Sequence, residues 1–231
     1  MLKEEGMMHK IGRQLVLLTS FVLISWSMAF GTQLGPATPS ADHGEVNLGI
    51  GYFYHEADLD EVDIEQNRIY LHLGYGLGIE EEPRWEVYVR AGAADLEAGG
   101  FDGDYEPFAS VGLKGAFYEG PVFAWGLVVQ GAYFYDYEAN DGDIEIEDFW
   151  EIEGGIPVQV NLGPLLFYGG PVFFHSEAEA KSNLGFTELK EEDNIGAFGG
   201  LRLNLGKNVS IEGEAQYKSD FSAGGLITIH F

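Results

Sequence analysis

The chain has no cysteine. That excludes a disulfide framework, thiolate zinc centres and anchoring through an N-terminal lipid-modified cysteine. Basic residues are scarce: 12 Lys and Arg stand against 38 Asp and Glu in 231 residues, for a formal net charge of −26. Nucleic acid is therefore excluded as a partner, because phosphate backbones are held by basic surface. Helical periodicity is missing after residue 44, and the one long apolar run, LVLLTSFVLI at 15–24, falls short of the roughly 20 residues of a spanning helix. The excess of acid does not imply disorder. Hydrophobic residues make up 45% of the chain and aromatics 14%, whereas disordered acidic segments are poor in aromatics.

What is present begins with an export signal. Lys3, Lys10 and Arg13 precede the apolar run, and SWSMAF follows it, placing Ser27 and Ala29 at the −3 and −1 positions of a cleavage site after Ala29. A basic region, an apolar stretch and a small-residue exit form a secretory signal, with an uncleaved membrane anchor as the alternative. Met7 and Met8 are alternative starts. The expected organisation is a signal peptide over 1–29, a Pro/Thr/Ser-rich periplasmic linker over 30–43 (FGTQLGPATPSADH) and one domain over 44–231.

That domain repeats one pattern, about ten alternating residues and then a break. EVNLGIGYFY sets Val46, Leu48, Ile50, Tyr52 and Tyr54 against Asn47, Gly49, Gly51 and Phe53. NRIYLHLGYGLG sets Ile69, Leu71, Leu73, Tyr75 and Leu77 against Arg68, Tyr70, His72, Gly74 and Gly76. RWEVYVRAGA sets Trp85, Val87, Val89, Ala91 and Ala93 against Arg84, Glu86, Tyr88, Arg90 and Gly92. Period two is the signature of half-exposed antiparallel strands. Further strands are expected near 108–118, 122–137, 149–161, 165–176, 194–205, 209–218 and 221–231, ten in all, with eight as the alternative count. Connections are short on one side and longer on the other, near 56–66, 95–106, 138–148 and 177–193, as in a transmembrane barrel.

A soluble barrel would turn its aliphatic face inward. Here that face is free of charge along the middle of each strand, and its aromatics collect near strand ends. Trp85, Trp125 and Phe231 fall at one end; Tyr52, Tyr54, Tyr133, Tyr135, Trp150 and Tyr217 fall at the other. Two aromatic bands around an aliphatic belt are what lipid contact requires. The fold expected is thus an all-β, antiparallel, up-and-down transmembrane barrel.

The last strand carries the same face to the final residue, through Phe221, Ala223, Gly225, Ile227, Ile229 and Phe231. Together with the signal peptide, it resembles the C-terminal assembly signal of bacterial outer-membrane β-barrel proteins. As pattern rather than matched residues, 44–231 resembles small porin-family, OmpA-like barrels. The resemblance implies that Phe221, Ile227, Ile229 and Phe231 are read by the barrel-assembly machinery, and that the protein is multi-pass in the outer membrane of a Gram-negative-type cell envelope. It also implies a monomer in contact with outer-membrane lipid and lipopolysaccharide.

The inward face holds Arg84, Glu86, Arg90, Lys114, Glu153, Arg202, Glu212 and Glu214, a candidate lumen charge network. If Leu205 pairs with Val209, Arg202 faces Glu212, and the same logic sets His72 opposite Arg90. Interior charges have to be paired or hydrated, so a structural network plugging a narrow lumen is expected, with a charge-lined conduction path as the alternative. If Asn161 pairs with Leu165, His175 lies opposite Glu151, half of a hydrolytic arrangement. Ser176 is adjacent and would point to the opposite face, so nucleophile and base do not converge. The segments EADLDEVDIEQ, DLEAGGFDGDYE and DYEANDGDIEIEDFWE are acidic and lack calcium-loop order, so they are expected to be solvated extracellular loops, with divalent cations between them and lipopolysaccharide as the alternative. No catalytic residue, metal site or cofactor is expected. The function expected is a non-enzymatic outer-membrane barrel with a structural or surface-interaction role. A narrow cation-preferring channel is the alternative, and a lipid-modifying enzyme the third reading.

Overall fold

The computed structural model describes residues 32–60, 62–78, 84–98, 101–138, 144–182, 185–191 and 193–231. Among these there is no helix, and thirteen segments form one antiparallel sheet. In chain order they are β1 (Val46–Leu59), β2 (Val62–Leu77), β3 (Trp85–Ala98), β4 (Phe101–Glu119), β5 (Phe123–Phe134), β6 (Tyr137–Glu138) and β7 (Ile144–Gly155). They continue with β8 (Val158–Leu162), β9 (Leu165–Ser182), β10 (Gly185–Lys190), β11 (Ile195–Asn204), β12 (Val209–Tyr217) and β13 (Phe221–His230). Three pairs are single strands interrupted: β5 with β6, β7 with β8 around Ile156 and Pro157, and β10 with β11. The wall is therefore a ten-stranded up-and-down barrel.

Closure is made by the last strand. β13 lies antiparallel to β1 from Asn47↔His230 to Tyr54↔Ala223, and the Phe231 amide donates to the Val46 carbonyl at 3.0 Å. Neither strand is left with an open edge. Phe221, Ile227, Ile229 and Phe231 all lie on the outer, exposed face of this seam.

Side-chain alternation runs in two opposite senses along the barrel. Over the membrane-spanning length the outward residues are apolar and exposed, among them Leu48, Ile50, Leu71, Val89, Val111, Ile152, Phe173 and Ile227. The inward ones are mostly polar, glycine or aromatic, with a few aliphatics such as Val128, Leu166 and Leu226. Inward glycines make room for the rings beside them: Gly51 lies opposite Tyr70, Gly112 opposite Tyr88, Gly224 opposite Phe53 and Gly200 opposite Tyr168. Trp85, Phe117, Phe123 and Trp125 band one rim; Tyr52, Tyr133, Tyr135 and Tyr217 band the other.

Beyond the tyrosine band the sense reverses, and here the structure corrects the sequence reading. Of the four segments expected as loops, the described parts of 56–66 and 177–193 continue as paired strands, with Ala57↔Ile64 and Ala180↔Thr187. The described parts of 95–106 and 138–148 do likewise, with Ala98↔Phe101 and Glu138↔Glu145. Their inward positions are mostly apolar and buried, with Gln66 and Glu191 as polar exceptions: Leu59, Ile64, Leu96, Phe101, Tyr137, Ile146, Phe149 and Leu189 pack as one cluster. Outward positions such as Asp63, Glu65, Glu97, Asp102 and Asp104 carry the acid. Water outside and no lipid to face is the condition under which apolar-in, acid-out is stable. This sheaf of hairpins closes the long-hairpin end of the barrel with an apolar cap.

Candidate functional site: a lumen filled by its own chain

Five buried cations and five buried carboxylates line the spanning part of the lumen: Arg68, Arg90, Lys114, Arg202 and Lys218, with Glu86, Glu151, Glu153, Glu212 and Glu214. The turn at Gly206–Asn208 sets the first pair. The Leu205 amide donates to the Val209 carbonyl at 2.8 Å, which places Arg202 opposite Glu212, with Nε 2.6 Å from Oε1. His72 lies opposite Arg90, as the alternation predicts. Glu86 faces Lys114 Nζ at 3.7 Å and His72 Nε2 at 3.6 Å.

Other pairs span the lumen rather than neighbouring strands. Arg68 on β2 is bidentate to Glu151 on β7, and Lys218, just past β12, meets Glu153 on β7. Sequence reasoning did not assign Arg68, Glu151 or Lys218 to the network. Arg68 has the inward phase, but nothing in sequence spacing says which strand faces it across the hole. Arg90 pairs with no carboxylate among the described residues; its guanidinium lies over Tyr88 and Tyr70, 4.6 and 5.3 Å from the ring centroids, and donates to Gln130.

Arg84 stands apart from the network expected for it. It precedes β3 at the short-turn rim, is 35% exposed, and pairs there with Asp42 at 2.5 Å and with Glu119. At the end of a strand its long side chain reaches water, so it does not need the interior. His175 and Ser176 are also re-registered. Asn161 pairs with Leu166 and not Leu165, so Ser176 faces Glu151 across the β7–β9 pair, pointing inward to donate to Glu191 at 2.8 Å. His175 turns outward against Trp150. Histidine and serine do fall on opposite faces, but it is the serine that points inward.

The largest difference concerns 30–43, read from sequence as a linker below the barrel. From Thr32 to Ala41 it lies inside. Thr32, Gln33, Leu34, Ala37, Thr38 and Ala41 are all at most 3% exposed. The segment enters at the short-turn mouth, where Gly44 N donates to Gly76 O and Gly76 N to Glu45 O, both at 3.0 Å. Gly76 has to be glycine, since a Cβ there would sit 1.9 Å from the Asp42 carbonyl oxygen. Climbing inward, the Ser40 and Ala41 amides both donate to Glu86 Oε2, at 3.0 and 3.1 Å. The Thr38 amide donates to Gln159 at 2.9 Å, and Arg202 Nη1 donates to the Thr38 carbonyl at 3.1 Å. The chain turns at Gly35, in the left-handed region with φ +83°, and Leu34 packs with Val128, Tyr168 and Phe198. Leu34 N and Gly35 N donate one to each oxygen of Glu214, at 2.8 and 2.7 Å. Gln130 and Gln216 both donate to the Thr32 carbonyl. Thr32 Oγ1 accepts from Arg68 Nη1 at 2.7 Å, directly beneath the stacked rings of Phe134 and Phe149.

Glu214 is the informative member. It has no ion-pair partner among the described residues, so the two amides of the luminal strand take the place of a cation. Beside the strand, a pocket of about 450 Å³ opens at the short-turn mouth, lined by Thr38, Ser40, Asn161, Arg202, Ser210 and His230.

No protein-family model matches the chain, and no curated protein sequence does. Solved structures do. An outer membrane channel from Pseudomonas putida F1 aligns with a TM-score of 0.55 at 8% identity, covering 87% of this chain and 100% of that one. The translocator domain of the autotransporter NalP from Neisseria meningitidis aligns with a TM-score of 0.52 at 9% identity, covering 81% of this chain and 87% of that one. At these identities the likeness is one of fold, that of outer-membrane β-barrels.

Proposed function

We propose that the protein is a non-enzymatic barrel of the outer membrane of a Gram-negative-type envelope, exported by cleavage after Ala29, with a structural or surface-interaction role. The short-turn end then faces the periplasm and the acidic sheaf faces outward, against lipopolysaccharide and the divalent cations bound to it. The porin-family, OmpA-like reading of the terminal strand belongs to the same proposal. One observation carries it: the hole is closed twice, by the luminal strand with its charge network and by the apolar cap above. A barrel of eight strands is just wide enough for side chains to fill, and ten widen it only modestly. The filled lumen is therefore the working state, and the working surface is the acid-out sheaf.

A narrow cation-preferring channel is the second reading. It is favoured by the pocket at the short-turn mouth and by the likeness to the Pseudomonas channel. Planar-bilayer recording on refolded full-length protein separates the two. The closed barrel gives no steps, or only small cation-preferring events whose selectivity fades as salt shortens the Debye length from about 10 Å at 0.1 M to about 3 Å at 1 M. Large anion-selective steps would overturn the proposal.

A further inference from the structure

We propose that the lumen is a binding site for a polypeptide segment, read through its main chain and its polar side chains and open only at the short-turn end, and that residues 32–42 are its covalently tethered ligand. This rests on the apolar cap closing the other end, as argued above.

Three observations support the site. First, the wall addresses the backbone of the segment as well as its side chains. Glu214 takes the Leu34 and Gly35 amides, Glu86 those of Ser40 and Ala41, and Gln159 that of Thr38. Arg202, Gln130 and Gln216 take carbonyls. Such main-chain contacts are available to any chain able to adopt the conformation. Second, the side-chain demand is polar apart from one residue: Thr32, Gln33, Thr38 and Ser40 hydrogen-bond to Arg68, Tyr168, Gln159 and Glu212. Leu34 is the one bulky apolar residue from Thr32 to Asp42, and it fills the niche formed by Val128, Tyr168 and Phe198. Third, Glu214 is a buried carboxylate with no ion-pair partner among the described residues, and beside the Gln216 side chain it takes its donors from two consecutive amides of the segment. A buried charge left without its donors is strongly unfavourable. The class of ligand is therefore a turned polypeptide segment of small and polar residues with one leucine followed by glycine. The mouth is suited to exchange: Asp42, His43 and Gly44 are exposed there, beside the open pocket.

The test keeps the full chain until it has folded. A protease recognition sequence is inserted between His43 and Gly44, the refolded barrel is cut, and a fluorescent synthetic peptide of residues 30–43 is added in excess. The expected result is saturable exchange of the nicked strand for the labelled one, with the heat-modifiable barrel intact. A peptide N-methylated at Leu34 and Gly35 should bind at least about ten-fold more weakly, as should the unmodified peptide to a Glu214→Gln barrel, since charge-assisted hydrogen bonds are lost in both. Three results would each overturn the proposal: equal binding of the methylated peptide, unfolding of the barrel whenever the strand leaves, or no exchange at any temperature short of unfolding. Conductance of the exchanging barrel is recorded in parallel. Steady large steps from an emptied but folded barrel would overturn the closed-barrel reading while leaving the peptide site standing.

Discussion

Arg68 and Glu151 meet across the lumen although 83 residues separate them and their strands are not neighbours in the wall. Nη1–Oε1 is 2.6 Å and Nη2–Oε2 is 3.0 Å, with both side chains fully buried. Planar, bidentate pairing fixes orientation as well as distance. The pair is a strut: it ties β2 to β7 under the aromatic stack and seats Thr32 at the end of the luminal strand.

Breaking this strut should be costly and non-additive. Arg68→Ala or Glu151→Ala strands a buried charge, and breaking such pairs typically costs about 3–5 kcal/mol. Removing both partners together should cost less than the sum of the two single losses. Urea unfolding of refolded protein gives the coupling; strictly additive losses would mean that water reaches both groups.

At the other side of the tyrosine band, Glu191 should give stability a pH dependence. Burial pushes its carboxyl up to about 7, although Ser176 and Ser219 both donate to it, at 2.8 and 2.9 Å. The folded state thus keeps a proton that the unfolded chain releases near 4.5. The resulting stabilisation is complete below about pH 4.5 and lost as pH rises through about 7. Glu191→Gln should leave stability unchanged near pH 4 and raise it near pH 8 by up to about 3 kcal/mol. Equal effects at both pH values would remove Glu191 as the titrating group.

Much of this fold is legible in the sequence because a barrel wall is written in period two. The inward assignment of Phe53, Tyr70 and Tyr88 and the facing of Arg202 and Glu212 follow from alternation and one short turn. Height is less legible. EADLDEVDIEQ looks like a loop because its outward residues are acidic, yet Ala57, Leu59 and Ile64 keep the alternation going, and that was the signal available. The luminal strand leaves almost no signal. Its recognition runs largely through amides and carbonyls that every sequence has and through small polar side chains, and the carboxylate that reveals it, Glu214, is conspicuous only once the described wall shows no cation paired with it. Pairs such as Lys218 and Glu153 depend on the barrel's diameter, which strand patterning does not encode.

The reversal of polarity along the strands predicts where a charge is tolerated. Leu71 projects from the middle of the aliphatic belt and is 66% exposed. Leu71→Arg should cost about 2–4 kcal/mol in lipid bilayers, the range for a basic residue near the midplane. Glu65→Arg, on the same face beyond the tyrosine band, should cost little. Folding of both variants into liposomes against urea checks the boundary, and equal costs would displace it.

The mouth of the barrel supplies a sterically defined test of the luminal strand. At Gly76 any Cβ collides with the Asp42 carbonyl, a backbone atom that no rotamer change can move aside. Gly76→Val should therefore shift the turn at Asp42–Glu45, break the Gly44–Gly76 hydrogen bond and pull Asp42 away from Arg84. The strand beyond would lose its anchor at the mouth while its deeper bonds to Gln159 and Glu214 compete to hold it. A cysteine at Thr38, buried in the parent and placed in a chain with no other thiol, reports the outcome: its labelling by a small maleimide should be slow, and markedly faster once Gly76→Val is added. Gly213→Ala is the matched control, because a Cβ there meets nothing closer than 3.7 Å. Acceleration by both substitutions would indicate general loosening of the wall. Acceleration by Gly76→Val alone locates the hold on the strand at the short-turn mouth.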